Sequence, residues 1–463
     1  MKTSLAAPLL LGLGLGLSVS SPLLAADRPT NAKVCLNCHK PEPGELRGTF
    51  DLVAFKSKAI QIRIDDAVEV VKFDPETLKV TNGATIEPAE YLRSVKKAHE
   101  VRISYVEKEG VKTATGFSVK QPMSVPADLL VKTADVEKLV SQGPEKGKYT
   151  LVDSRPLTRY QEGYIPTAKN LPYPSFDKMV DRLPADKAAL LVFYCGGPTC
   201  SMSPKSAEKA KALGYTNVKV YHEGIPGWSS SHYAAITPQF LKEAWFDKEM
   251  PIVLLDARPA AEAGKGFIKG AVVLSPGPGT AAIAALKLPP ADKKPPVVVY
   301  DAGAADGAAA TSLAAKLIAA GYNNVRVLEG GFAAWQGAKL AVETGAPATT
   351  ASWAPKPRAG EIPYDEFVAI AKAKPAETLI LDVRPVSEAK AGMIAGAKNL
   401  PADEIEKRYA ELPKEKRIVA YCATGVQADM VYNVLKERGY PRVYFVNTSL
   451  TIEPDGAFTR TTK

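Results

Sequence analysis

The chain has 463 residues, 46% of them hydrophobic and 24% charged, which describes a globular polypeptide of about three domains and excludes a disordered or fibrous one. Its formal net charge is +9, but the Lys and Arg residues are scattered among Glu-containing segments with no block of like charge. That argues against a nucleic-acid surface and leaves small anions or an acidic partner as the species the charge would favour.

Residues 1–26 read as an export signal, with Lys2 as the positive start, an apolar run from Leu5 to Val19, and a small-residue end predicting cleavage after Ala26. The run is short for a membrane span, and nothing later is long and apolar enough to be one, so the expectation is an exported protein that is periplasmic or carried further out, not an integral membrane protein. Five cysteines are present, an odd number at spacings unlike a disulfide framework; one paired motif plus reactive thiols fits them better.

Cys35-Leu36-Asn37-Cys38-His39 follows the signal. Cys-x-x-Cys-His is the attachment signature of a c-type haem: two thiols form thioethers to the porphyrin and the adjacent imidazole reaches the iron. A zinc site would need about four ligands, and no second cysteine pair exists. A thioredoxin-like redox pair would need a βαβ setting that this segment lacks. The expectation is one covalent haem c held by Cys35, Cys38 and His39, with His99 or Met123 as candidate second iron ligands and a five-coordinate haem also open. Residues 50–125 then read as mostly β, from the alternations Ile60-Gln61-Ile62-Arg63-Ile64 and Val101-Arg102-Ile103-Ser104-Tyr105. Lys108-Glu109-Gly110 predicts a hairpin turn and Glu87–His99 a short helix. The N-terminal unit, 27–126, is expected to be a small sandwich-like β module carrying the haem motif.

From Ala127 the pattern becomes alternating helices and strands, and it repeats. Leu151-Val-Asp-Ser-Arg-Pro156 recurs as Leu254-Leu-Asp-Ala-Arg-Pro259 and Ile380-Leu-Asp-Val-Arg-Pro385; each copy later closes a helix on Gly-Tyr, at Gly214-Tyr215, Gly321-Tyr322 and Gly439-Tyr440. Such alternation implies a parallel sheet flanked by helices. The units are expected at 127–238, 239–344 and 359–455, with the Ala/Thr/Pro-rich stretch 345–358 as a linker.

The first copy contains Leu191-Val-Phe-Tyr-Cys195-Gly-Gly-Pro-Thr-Cys200-Ser-Met-Ser203-Pro204. It reads as a buried strand ending on a cysteine, a glycine-rich loop, and a helix with Ser203 as N-cap and Pro204 in the first position. A thiol there faces loop amides and a helix N-terminus, which favours its thiolate, so Cys195 is expected to be the activated sulfur. This strand, loop and helix, preceded by an Asp-x-Arg strand end and Gly163-Tyr-Ile-Pro, resembles the active-site segment of the rhodanese (sulfurtransferase) family. The fold class expected is therefore α/β, three tandem rhodanese-like domains after the small β module.

The resemblance implies transfer of sulfane sulfur through a cysteine persulfide, from a thiosulfate-like anion to a thiol acceptor. Cys195 and Cys422 are the implied nucleophiles, and Cys200, in the same loop as Cys195, either resolves the persulfide or simply packs. Asp153/Arg155 and Asp382/Arg384 would brace the loops. Asp301 occupies the cysteine position of the second copy, which makes that copy degenerate. Cys422 to Gly439 spans seventeen positions, the family's frame, with Gln427 where that frame has arginine; Cys195 to Gly214 spans nineteen, and that loop has no arginine either. Missing arginines disfavour a phosphatase. They favour an electron-transfer or docking subunit of a periplasmic or outer-membrane redox assembly with a cytochrome-like partner, and the fusion of a haem motif to rhodanese-like parts suggests a third reading, haem-linked reduction of sulfur, selenium or other chalcogen oxyanions.

Overall fold

The computed structural model describes residues 29–33, 36, 40–81, 86–273, 287–291, 294–303 and 308–461. Strands β1 (Glu45–Ala54), β2 (Ala59–Ile64), β3 (Ala67–Phe73), β4 (Lys79–Thr81), β5 (Glu100–Lys108) and β6 (Val111–Val119) make one sheet in the order β3-β2-β1-β5-β6-β4. β3 also pairs with β6, Lys72 with Thr113 and Phe73 with Ala114. The sheet thus closes on itself into a small barrel, correcting the expected sandwich. Its interior holds Ile60, Ile62, Ile64, Val101 and Ile103, the inward half of the alternations, together with Phe117 of β6. The turn between β5 and β6 lies at Glu109 and Gly110, both with positive φ (53° and 73°), as a two-residue hairpin turn requires. The helix within the expected 87–99 stretch is shorter, Pro88–Ser94.

Three five-stranded parallel sheets follow. The first is β7 (Leu130–Val131), β11 (Val218–Tyr221), β10 (Leu190–Tyr194), β8 (Tyr149–Asp153) and β9 (Lys169–Asn170), in that spatial order. The second is β12 (Ala234–Ile236), β17 (Val325–Leu328), β16 (Val297–Tyr300), β13 (Val253–Asp256) and β15 (Val272–Val273); β14 (Phe267–Ile268) pairs separately with β18 (Val342–Glu343). The third is β19 (Glu361–Ile362), β23 (Val443–Val446), β22 (Arg417–Tyr421), β20 (Thr378–Asp382) and β21 (Lys398–Asn399). A C-terminal hairpin, β24 (Leu450–Ile452) with β25 (Phe458–Arg460), ends the described chain. The three orders are the same, so the sequence repeat is a structural repeat. Ala234–Ile236 belongs to the second sheet, which puts the boundary between the first two units a few residues before the expected 238.

The units are stitched together. Tyr164 and Ala235 exchange backbone hydrogen bonds, the Tyr164 hydroxyl donates to Glu329 (2.6 Å), and Arg326 Nε donates to the Glu162 carbonyl (2.8 Å), joining the first two repeats. The barrel packs on the third repeat. Gln61 and Arg63, the outward half of the β2 alternation, reach Asp51 Oδ2 at 3.1 Å each, and Asn433 of helix Val426–Glu437 donates to Gln61 Oε1 (3.3 Å). Arg358 pairs with Asp429 of the same helix. Gln61, which would face water on an isolated barrel, is here fully buried, while Arg63 stays partly exposed. No helix among the described residues is long and apolar enough to cross a membrane.

Candidate functional site

In each repeat the central strand, β10, β16 or β22, ends on a tyrosine, and the residue after it begins a loop at the carboxyl edge of the sheet. This is where open parallel sheets place their ligands. Around that edge the three copies build one frame. Arg155 grips both carboxylate oxygens of Asp153 through Nε (3.0 Å to each) and Nη2 (2.6 Å), and its Nη2 donates to the Gly163 carbonyl (2.7 Å). Arg258 does the same to Asp256 and Gly266, and Arg384 to Asp382 and Gly392. The strand-end tyrosines accept amide hydrogen bonds from Ile165, Ile268 and Ile394. Burial alone would disfavour the Arg155 charge, yet its bonds and attraction to Asp153 outweigh that and push its pKa up. The copy without a cysteine keeps the whole frame, so the Asp-x-Arg pair is a brace.

Cys195 follows Tyr194 and is 1% exposed. Its Sγ lies 3.1 Å from Ser203 Oγ and 3.4 Å from the Cys200 carbonyl, to which it donates. It also shares a hydrogen bond with the Cys200 thiol; both sulfurs are reduced. The helix of this loop spans Met202–Ala212 with Ser201 as the flanking cap residue. Ser203 is therefore no N-cap: it sits inside the first turn, buried, with its hydroxyl turned to Cys195. Pro204 is the third helical residue, still where an amide hydrogen would find no helical partner.

The electrostatics correct the expectation for Cys195. Burial, followed by the neighbouring Cys200, pushes the Cys195 thiol well up. Cys200, only partly buried, is pulled down to about 7 by its hydrogen bond with Cys195, against the opposing effect of burial, with help from the Met202 and Gly196 amides and the Lys120 charge. The amides of the helix start reach both sulfurs, that of Met202 acting on Cys200 and that of Ser203 on Cys195, so what separates the two is the deeper burial of Cys195 and the hydrogen bond between them.

Residues far away in sequence complete this site. Gly224 has φ 59°, and a Cβ on it would lie 2.3 Å from the Cys195 carbonyl and 2.6 Å from the Gly197 amide. Gly331 stands in the same relation to Asp301. The Gly-x-x-x-Trp spacing of Gly224/Trp228 and Gly331/Trp335 was the sequence signal available for this pair. Gly224→Ala is expected to lower stability by about 1–3 kcal/mol and to disturb the first loop, measured by thermal unfolding and by thiol reactivity of Cys200. From the other side, the segment leaving β6 docks on the loop. The Met123 amide donates to the Pro198 carbonyl (2.7 Å) and His222 Nε2 bonds the Met123 carbonyl (3.0 Å).

The other copies differ. Asp301 turns its carboxylate onto its own loop, accepting from the Gly303 (2.9 Å) and Ala310 (3.0 Å) amides, and borders a 170 Å³ cleft that Pro166 and Thr167 of the first repeat share. Cys422 is 1% exposed, and Gln427 is buried in the first turn of its helix. Cys35, Cys38 and His39 lie outside the described residues. Just before them, Asn31 bridges to Arg47 of β1 and the Lys33 amide donates to Asp65 (3.1 Å), so the chain is docked on the barrel as it enters the motif. His99 is exposed at the start of β5, and Met123, 38% exposed, lies against the first cysteine loop.

The rhodanese-like domain model matches residues 136–231, 237–338 and 365–451. The chain belongs to the rhodanese-like domain family. Among curated relatives, an HTH-type transcriptional regulator of Mycobacterium tuberculosis is 34% identical over 111 residues, 22% of this chain and 48% of that protein. A sulfurtransferase of Allochromatium vinosum is 36% identical over 67 residues, 14% of this chain and 63% of its own. The chain thus spans about half to just under two thirds of those relatives' lengths. Of the solved structures, a thiosulfate sulfurtransferase from Pseudomonas aeruginosa matches at 20% identity over 71% of this chain and 67% of that one, with a TM-score of 0.21.

Proposed function

We propose that this rhodanese is a sulfurtransferase in which sulfane sulfur passes through the cysteine pair of the first repeat. The observation that carries the reading is two reduced thiols, Cys195 and Cys200, hydrogen-bonded to each other at the N-terminus of helix Met202–Ala212. A thiolate there attacks the outer sulfur of a thiosulfate-like donor, breaking its S–S bond and releasing sulfite. The loop amides hold the persulfide anion until a thiol acceptor takes the sulfur. The second repeat has a carboxylate in place of the thiol and serves in packing. Cys422 of the third repeat is a second, lesser candidate, buried and without a loop cation.

The same reading includes export, with residues 1–26 as the signal, and one covalent haem c at Cys35, Cys38 and His39, supported by the motif and its spacing. When bound, that group supplies one-electron redox chemistry. A second reading, an electron-transfer or docking subunit with a cytochrome-like partner, or one reducing sulfur or selenium oxyanions, is favoured by the docking of the haem-motif module on the third repeat and of its outgoing segment on the first cysteine loop.

The test is thiosulfate-to-cyanide transfer by the full chain, with a reduced-minus-oxidised visible spectrum of the same sample. Wild-type turnover that is lost in Cys195→Ser/Cys200→Ser and largely kept in Cys422→Ser supports the transferase. A c-type haem band with no transfer by the wild type supports the second reading and removes the first.

A further inference from the structure

The two thiols of the first loop are not equivalent in access. Cys195 is enclosed by Ser203, the Cys200 carbonyl and the Cys200 thiol, at 1% exposure. Cys200 lies one residue before the helix cap Ser201, partly exposed, five residues along a loop whose Gly196 and Pro198 face solvent. The Met202 and Gly196 amides and the charge of Lys120 all act on its sulfur, and a Cβ on Gly196 would come 4.0 Å from its Sγ. Of the two cysteines, Cys200 is the one with surface open to an arriving donor.

We propose that Cys200, rather than the strand-end Cys195, is the attacking thiolate of the first repeat, and that Cys195 is the resolving thiol behind it. This rests on the sulfurtransferase reading and reverses the order that the sequence suggests. The Cys200 thiolate attacks the outer sulfur of thiosulfate; a Cys200 S–S bond forms, the S–S bond of thiosulfate breaks, and sulfite leaves with the bonding pair. The Cys195 thiol then attacks Cys200 Sγ. The Cys195–Cys200 disulfide forms, the persulfide bond breaks, and the outer sulfur leaves as hydrosulfide with the Cys195 proton. The sulfane sulfur is reduced by two electrons and the two thiols are oxidised by two. An external dithiol reductant supplies two electrons and two protons to restore the pair. Where a thiol acceptor or cyanide intercepts the Cys200 persulfide first, the sulfur is transferred with no net oxidation. The pair therefore partitions sulfur between transfer and reductive release.

The test uses the full chain carrying Cys422→Ser, pre-reduced and mixed with thiosulfate in the absence of an acceptor, alone and with Cys195→Ser or Cys200→Ser added. The parent is expected to release one sulfite and one sulfide per chain. Cys195→Ser is expected to release sulfite without sulfide and to keep one extra sulfur on Cys200. Cys200→Ser is expected to lose the sulfite burst by about tenfold or more, because the remaining thiol is buried and protonated. Iodoacetamide labelling of the unmutated chain gives a readout independent of the donor and of any variant's folding; Cys200 is expected to be alkylated about tenfold faster than Cys195 or more. Sulfite release at the parental rate by Cys200→Ser, with sulfur on Cys195, overturns the proposal while leaving the transferase reading in place, and so does faster alkylation of Cys195. A parent that releases no sulfite although Cys200 is alkylated first overturns the transferase reading, and the proposal falls with it.

Discussion

Arg155→Ala is expected to cost about 3–5 kcal/mol of stability in the first repeat, because it leaves the fully buried Asp153 carboxylate without its counter-charge and the Gly163 carbonyl without its donor. Removing one partner of a buried pair costs far more than the pair contributes, since the remaining charge has been taken out of water. The readout should be local, because a chain of four packed units need not unfold in one step. Hydrogen exchange followed at β8 and at the segment after Gly163 serves that purpose. Arg258→Ala is the control the fold provides. It breaks the same brace, at 2.6 Å to Asp256, in a repeat whose loop has no thiol. Equal local loosening in both variants, with sulfur transfer harmed in proportion to loosening, is the expected result. Transfer abolished in Arg155→Ala with exchange at β8 unchanged would instead make Arg155 a participant in the chemistry.

The pH dependence of thiol reactivity is the second large effect. A thiol reacts as its thiolate, so a group held at about 7 is mostly protonated below that pH and mostly reactive above it. The rate of Cys200 alkylation, and of sulfite release from thiosulfate, is therefore expected to rise with unit slope from pH 5, bend near 7 and level off by pH 8, a change of about 100-fold across that window. Two effects lower the bend against the opposing effect of burial, the hydrogen bond from Cys195 first and the Met202 and Gly196 amides after it. Cys195→Ser should shift the bend because it alters the larger of them. Were Cys195 the attacker, its burial would place the bend above the ordinary thiol range of about 8.5, and the rate would still be climbing at pH 9.

Local features of the chain were legible in the sequence. The Asp-x-Arg strand ends, the apolar runs of the central strands and the Gly-Tyr helix ends depend on neighbours a few residues away. They placed three sheets and the residue that opens each loop. The Glu109-Gly110 turn was legible for the same reason. What depended on distant partners was not. Closure of the barrel needs Phe73 to find Ala114, and the alternation in β2 says nothing of the helix that covers Gln61. The assignment of Ser203 to a helix cap failed because the helix begins two residues earlier than that reading implies, at Met202, which leaves Ser203 inside the first turn with its hydroxyl beside Cys195. The motif named the two sulfurs of this loop, but their different burial and the hydrogen bond between them depend on the packed loop and could not be read from spacing.

The most direct measurement is a thiol map of the pre-reduced full chain after one equivalent of thiosulfate, with each cysteine located by digestion and mass. Cys195 and Cys200 are expected to be modified, as persulfide or as their mutual disulfide, while Cys422 stays a free thiol. Consumption of the donor with Cys195 and Cys200 both still free would contradict this.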